Sequence, residues 1–239
     1  MDFFTNWQQI YDNATEVFNK SDGKIDLADY KNLAGEYGRL LKHYKHFYNI
    51  SYAPSKQLEK YEFFSDDHFD MLTGIFNDRY LHENLDYILA QSGRASDNVS
   101  VVMVDIDHFT QYNSTYGNDA GDQCLRYVSE ALKDCLYRGN DFAARYGNDE
   151  FVAVLPATNV DGAKILAERI QKHVQGLELP NSSNSVTNIV SITMGVVSGT
   201  KESSNVGSNW TAAHFIKRAN EALSQAKNLG RNQYVCLGL

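Results

Sequence analysis

Apolar positions along the chain change their period several times, and each change predicts an element. Residues 99–104 are almost wholly apolar, Val99-Ser100-Val101-Val102-Met103-Val104, the pattern of a strand buried on both faces. Over residues 120–136 the apolar positions recur at Cys124/Leu125, Val128, Leu132 and Cys135/Leu136, the stripe of an amphipathic helix. Two apolar runs, 142–146 and 151–155, flank Gly147-Asn148, a hairpin turn signal. A helix is predicted over 160–177, with Ala163, Leu166, Ile170 and Val174 on one face, and a strand over 190–197. A helix over 212–227 is stopped by Gly230, and a last strand covers 234–237. A hairpin set among strand–helix crossovers implies a mixed sheet with helices packed on it, an α/β (α+β) domain.

The first sixty or so residues have a different pattern. Residues 3–18 are amphipathic, with Trp7, Ile10, Tyr11 and Val17 as candidate buried positions, and Ser21-Asp22-Gly23 ends that helix. Leu33, Tyr37, Leu40, Tyr44 and Phe47 then alternate spacings of four and three, a coiled-coil seam or a helical hairpin packed on itself. The polar stretch 55–65, just after Pro54, sets the expected boundary between a helical dimerisation or regulatory segment, 1–65, and a larger domain, 66–239.

Composition narrows the classes. Of 239 residues 43% are hydrophobic and 22% charged, enough to bury a sizeable core. Lys and Arg total 22 against 30 Asp and Glu, and the net charge of −8 argues against nucleic acid or a basic membrane patch as partner. The longest uninterrupted apolar run, 151–155, is far short of the roughly 20 residues of a membrane helix. Met1-Asp2-Phe3-Phe4 lacks the features of a signal peptide, and Cys124, Cys135 and Cys236 form no CxxC pair, so a cytoplasmic location is expected. Cys124 and Cys135 fall on the apolar stripe and are expected in the core.

Two acidic groups carry candidate chemistry. Asp105-Ile106-Asp107 ends the buried strand, and Asp149-Glu150 sits on the hairpin turn. Carboxylates at strand ends suit Mg²⁺, which takes oxygen ligands and shares its shell with phosphate oxygens. If the two strands are neighbours, Asp105 and Asp149 converge, the geometry of in-line phosphoryl or nucleotidyl transfer. Strand ends and turns also favour Asp for local hydrogen bonds alone. The stretch from Asp107-His108-Phe109 through Gly121-Asp122 offers backbone amides at a strand-to-helix turn for phosphate. Lys227 and Arg231, at i and i+4, are cations at the end of a helix.

The string Arg145-Tyr146-Gly147-Asn148-Asp149-Glu150-Phe151 resembles the signature of GGDEF-domain diguanylate cyclases, with Asn148 where the second Gly normally stands. Four further blocks are similar to that family's motifs. They are Asp70-Met71-Leu72-Thr73-Gly74 with Asn77 and Arg79; Asp105-Ile106-Asp107-His108-Phe109 with Asn113, Gly117 and Gly121-Asp122; Ser191-Ile192-Thr193-Met194-Gly195-Val196; and Ala226-Lys227-Asn228-Leu229-Gly230-Arg231-Asn232. The resemblance implies a palm-like mixed β-sheet with surrounding helices, similar to nucleotidyl cyclases. It implies condensation of two GTP into cyclic di-GMP with release of pyrophosphate. Asp105, Asp149 and the Ile106 carbonyl would then hold Mg²⁺ or Mn²⁺, and Glu150 would support the site. Asn113 and Asp122 would read guanine, and Phe109, Gly147 and Asn148 would line the nucleotide. Lys227 and Arg231 would hold the outer phosphates, and Asp149 or a metal-bound water would take the proton of the attacking 3′-hydroxyl.

Each domain of this kind binds one GTP, so two must face each other, and a homodimer through residues 33–47 is expected. Arg138-Gly139-Asn140-Asp141 is similar to the family's RxxD inhibitory site, with Arg169 as a second arginine, which implies inhibition by cyclic di-GMP. Thr110 stands where many relatives carry Lys, and Asp78 replaces a usual Arg. The family turn uses two glycines for a special backbone conformation, and Asn is the residue that best replaces Gly at positive φ. An alternative reading is a catalytically silent GGDEF-like module that binds GTP or cyclic di-GMP and regulates a partner; another is an enzyme making a mixed purine dinucleotide or a cyclic mononucleotide.

Overall fold

The structure is a computed structural model and describes residues 68–92, 97–184, 187–200 and 210–239. The chain divides into two units between Asp67 and His68, and every described residue belongs to the second. The N-terminal helices, the seam at 33–47 and the expected 65/66 boundary lie outside the described residues.

In chain order the elements are β1 (Phe76–Asn77), α1 (Asp78–Gln91), β2 (Val99–Ile106), α2 (Phe109–Tyr116), α3 (Asn118–Cys135), β3 (Phe142–Arg145), β4 (Glu150–Pro156), α4 (Val160–Gln175), β5 (Ile192–Gly199), α5 (Ala212–Asn228) and β6 (Tyr234–Gly238). They form one six-stranded sheet in the order β1-β3-β4-β2-β5-β6. The β1–β3 and β5–β6 pairs are parallel and the others antiparallel, so the sheet is mixed as expected. Strand β2 runs two residues past the apolar run, because Asp105 and Ile106 still pair with Thr193 and Ile192 of β5.

Alternation along β2 builds a core on each face of the sheet. Val102, Val104 and Ile106 pack with Cys124, Leu125, Val128 and Leu132 of α3 and Leu166, Ile170 and Val174 of α4. Val99, Val101 and Met103 pack with Leu81, Leu85 and Leu89 of α1 and Phe215, Ile216, Ala219 and Leu223 of α5. Cys124 and Cys135 are buried in the first of these cores. Full burial of a side chain of this size stabilises by about 1.5–3 kcal/mol, so both faces contribute substantially.

Helix α5 lies directly on β5. A Cβ at Gly195 would run into the Ala219 carbonyl and the Leu223 backbone, so only glycine allows this approach. That contact sets where Lys227, near the end of α5, reaches the sheet. Among the described residues no helix is long and apolar enough to cross a membrane.

Candidate functional site

Strands β2 and β4 are neighbours, and Asp105 lies opposite Glu150 in their register. The Ile106 N–H donates to the Asp149 carbonyl at 3.3 Å, which ties the end of β2 to the hairpin turn. The two acidic groups therefore meet at one end of the sheet. Asp105 is 8% exposed, and its place in the alternation points it to the α1/α5 face. There Lys227 Nζ donates to Asp105 Oδ2 at 2.6 Å. Burial raises the Asp105 carboxyl to a pKa of about 6; Lys227 opposes the shift, while the charges of Asp149 and Glu150 add to it. The structure thus brings Lys227 onto the first acidic group itself, whereas the resemblance assigned it to outer phosphates.

Asp107 has a different role from Asp105. It is 1% exposed and accepts from Ser191 Oγ at 2.6 Å, Thr193 Oγ1 at 2.5 Å and the Asn232 N–H at 3.1 Å. It pins β2 to β5 and to the turn after α5.

The 146–149 turn is closed by the Tyr146 and Gly147 N–H groups, which donate to the Glu150 carbonyl at 2.8 and 3.2 Å. Positive φ angles among the described non-glycine residues fall elsewhere, and neither Gly147 nor Asn148 adopts one. The special conformation expected for two glycines is therefore absent. Asn148 needs no left-handed backbone, and the residue is exposed. Gly147 sits close to the Glu150 side chain: a Cβ there would lie 2.9 Å from Glu150 Oε2 and would displace that carboxylate.

Arg145 clamps this turn, a role that residue type and spacing alone do not assign. Its Nε donates to the Gly147 carbonyl at 3.2 Å and its Nη2 to the Asn148 carbonyl at 2.6 Å. Its Nη1 meets both Asp70 carboxylate oxygens at 3.3 Å. Asp70 also accepts from the Thr73 N–H at 2.8 Å and Thr73 Oγ1 at 2.6 Å. Burial acts to raise the Asp70 carboxyl, but the Thr73 hydrogen bonds and Arg145 outweigh it and hold the pKa below the ordinary value. The only sequence signal for this clamp is an Arg two residues before a Gly-containing turn, with an Asp–Thr pair far upstream.

The strand-to-helix turn after β2 has the features expected of a phosphate cradle. His108, at φ 58°, precedes α2 and makes no side-chain cap, so the first N–H groups of that helix are not satisfied by it. Phe109 is 7% exposed, its ring in the core and stacked with Tyr112, so it offers its backbone and not its side chain. Asn113, on α2, has a buried Oδ1 without a hydrogen-bond partner. Gly121 of α3 packs against that side chain, and a Cβ there would collide with Asn113 Oδ1. Asp122 follows on the same helix. Arg231 is exposed and left-handed, at φ 63°.

Arg138, Asp141 and Arg169 also come together. Both arginines act electrostatically on Asp141, although burial dominates and raises its pKa. Arg138 Nη1 donates to Thr158 Oγ1 at 3.0 Å, and Arg169 Nη2 to the Cys135 carbonyl at 2.5 Å. The Arg169 guanidinium lies 4.1 Å from the centre of the Tyr137 ring. Asp141 Oδ1 and Arg169 Nε are buried without partners.

Comparison with known proteins agrees with this geometry. Residues 67–233 match the family model described as diguanylate cyclase, GGDEF domain. The chain is 37% identical over 166 residues to the response regulator PleD of Caulobacter vibrioides, covering 70% of this chain and 35% of that protein. It is 35% identical over 147 residues to diguanylate cyclase A of Treponema denticola, covering 62% and 37% respectively. The chain thus spans about a third of the length of these curated relatives. Among solved structures, the GGDEF domain of DgcB from Caulobacter crescentus in complex with c-di-GMP aligns with a TM-score of 0.62 at 26% identity, over 72% of this chain and 97% of that one. With the five motif blocks carried on a mixed sheet, and the acidic ends of β2 and β4 side by side, the chain belongs to the GGDEF-domain family of diguanylate cyclases.

Proposed function

We propose that this chain condenses two molecules of GTP into cyclic di-GMP with release of two pyrophosphates. The observation that carries this reading is the meeting of Asp105, Asp149 and Glu150 at the β2/β4 end, where burial and neighbouring charge hold the Asp105 pKa at about 6. The donors on offer are all hard oxygens, the carboxylates of Asp105 and Asp149 and the Ile106 carbonyl, and they fit Mg²⁺ or Mn²⁺. Among the described residues no three His, Cys, Asp or Glu side chains cluster as a metal centre. When bound, the ion neutralises phosphate charge and polarises the α-phosphate.

The chain's own residues do the remainder. The buried, unpartnered Asn113 Oδ1 supplies an acceptor for a guanine donor, and Asp122 a carboxylate for the N1–H and N2–H₂ edge. The amides at the start of α2 and the Arg231 guanidinium receive the phosphates. Lys227, which donates to Asp105 here, would be free to reach a phosphate oxygen where Asp105 holds the cation, which reconciles its two assignments. The 3′-hydroxyl of one GTP attacks the α-phosphorus of the other, its proton passes to Asp149, and the bond to the β-phosphate oxygen breaks. A second, reciprocal transfer closes the ring. Two domains must face each other for this, so the active form is a homodimer.

The test is incubation with GTP and Mg²⁺ followed by chromatography of the products. Cyclic di-GMP is expected from the wild-type chain and not from Asp149→Ala. GTP binding without any product, at concentrations that favour the dimer, would instead support the silent regulatory module.

Arg145 tunes the same site. Arg145→Lys keeps the charge but loses the fork that holds two turn carbonyls and Asp70 together. A loss of about 10–100-fold in turnover is expected, because a misplaced reacting group is costly. Initial rates at saturating GTP measure it.

Control by product follows from the second cluster. The unpartnered Asp141 Oδ1 and Arg169 Nε beside Arg138 suit the acceptors and donors of a cyclic dinucleotide. Arg138→Ala is expected to weaken inhibition by added cyclic di-GMP at least tenfold while leaving the uninhibited rate within about twofold, on the scale of one lost charge-assisted contact. Unchanged inhibition would remove this assignment.

A further inference from the structure

Arg231 and Asn232 are consecutive non-glycine residues with positive φ, 63° and 48°. Each such residue costs on the order of 1 kcal/mol or more and persists only where surrounding structure holds it. Here the restraint falls on Asn232. Its N–H donates to Asp107 Oδ2 at 3.1 Å and to Thr193 Oγ1 at 3.0 Å. From the other side, Gln171 Nε2 donates to the Asn232 carbonyl at 2.6 Å and approaches its Oδ1 at 3.2 Å. Gln175 Nε2 donates to the same Oδ1 at 2.9 Å.

Gln171 and Gln175 are one turn apart on α4 and share a face. The helix itself is fixed to the sheet by Leu166, Ile170 and Val174 in the core. A rigid element therefore presents two amide donors to one residue of the turn. We propose that Gln171 and Gln175 are positioning residues for the nucleotide's outer phosphates, acting through Asn232 on the direction of Arg231. The inference rests on the reading of Arg231 as a phosphate-binding residue. The N–H bonds fix the peptide between Arg231 and Asn232, and the carbonyl bond fixes the next peptide. Together they leave the Asn232 backbone one conformation and so hold its neighbour in the left-handed region. Without the two donors the Asn232 carbonyl and Oδ1 lose these partners, and the turn is left to the Asn232 N–H bonds, the Arg231 N–H bond to the Ala226 carbonyl at 3.2 Å and the bonds of Gly230 and Gln233 on either side.

The experiment compares binding of GTP and of GMP, which lacks the outer phosphates, to the full chain by calorimetry. The variants are Gln171→Ala/Gln175→Ala, Arg231→Ala and all three substitutions together. The glutamine pair is expected to weaken GTP about tenfold, the scale of one to two net hydrogen bonds, and to leave GMP unchanged. In the Arg231→Ala background the same pair is expected to add less than about twofold, because the group it positions is gone. Gln171→Glu/Gln175→Glu, which keeps size but replaces donors with acceptors, is expected to behave like the alanine pair. Equal losses for GTP and GMP, unchanged GTP affinity, or a full additional loss on top of Arg231→Ala would overturn the proposal while leaving the cyclase reading in place. Unchanged GTP affinity in Arg231→Ala alone would instead defeat the phosphate assignment and the inference with it.

Discussion

Asp105→Asn is expected to abolish cyclic di-GMP formation, by at least about a thousandfold, and at the same time to make the fold more stable. The loss follows from removing a charged oxygen from the site where transition-state charge is stabilised, commonly worth ~10²–10³ or more per group. The gain follows from linkage. The Asp105 carboxyl is held at about 6, above its ordinary value, first by burial and then by the charges of Asp149 and Glu150. A carboxyl raised in the folded state binds its proton more tightly there than in the unfolded chain. The stability this gives is complete below the unfolded value near 4 and falls away as pH rises through about 6. At pH 8 the ionised form therefore destabilises the fold by about 1–2 kcal/mol after allowance for partial solvation. Asn keeps an acceptor for Lys227 without the charge. Calorimetric melting at pH 8 with chelator present should place Asp105→Asn several degrees above wild type, at about 2–4 °C per kcal/mol for a domain of this size. At pH 4 the two should nearly coincide. An equal or lower melting temperature at pH 8 would mean that burial and the neighbouring carboxylates do not disfavour the ionised Asp105 as required.

The opposite balance holds two residues away. Asp107→Ala is expected to cost about 3–5 kcal/mol and lower the melting temperature by roughly 10 °C or more. The carboxylate satisfies Ser191 Oγ, Thr193 Oγ1 and the Asn232 N–H in a site 1% exposed, and Ala leaves these donors without their acceptor. Each stranded buried donor costs about 1–3 kcal/mol. Asp107→Asn is expected to be nearly as harmful, because its amide faces groups that are themselves donors. Chemical denaturation checks both, and a change below about 1 kcal/mol for Asp107→Ala would contradict the role of Asp107 as the joint between β2, β5 and the arginine turn. The pair Asp105 and Asp107 thus divides the work: one residue sacrifices stability for chemistry, and the other supplies stability by joining β2, β5 and the turn after α5.

That division shows where sequence stops being informative. Strand β2, the hairpin and helices α3, α4 and α5 were legible because their apolar periods are strong over many residues. Helix α2 was not, because Phe109 and Tyr112 are its only buried residues and the rest is polar. Helix α1 has signals that a residue pattern can carry: Asn77 caps it by accepting from the Tyr80 N–H, and Leu81, Leu85 and Ile88 recur at helical spacing. The acidic ends of β2 and β4 were legible as candidates since carboxylates rarely end such apolar runs without a reason. Their partners were not. Residues 105 and 107 share one phase of the alternation, so the pattern alone does not say which carboxylate meets α5, and Lys227 is 122 residues away in sequence. Arg145 and Gln171 were invisible for a similar reason, since each acts on backbone carbonyls that only the folded turns present. The expectation of positive φ at Asn148 came from the two-glycine turn of the family and from the residue type, whereas neither Gly147 nor Asn148 adopts one and the turn is held by Arg145 and the Glu150 carbonyl.

The most direct test of the shared carboxylate locus is Mn²⁺ binding followed by electron paramagnetic resonance in the presence of a GTP analogue that cannot turn over. Wild-type chain is expected to bind Mn²⁺ with nucleotide at about neutral pH, and Asp105→Asn and Asp149→Ala are each expected to weaken that binding at least tenfold, on the scale of one lost charged ligand. Undiminished Mn²⁺ binding in either variant would contradict a common cation site at residues 105 and 149.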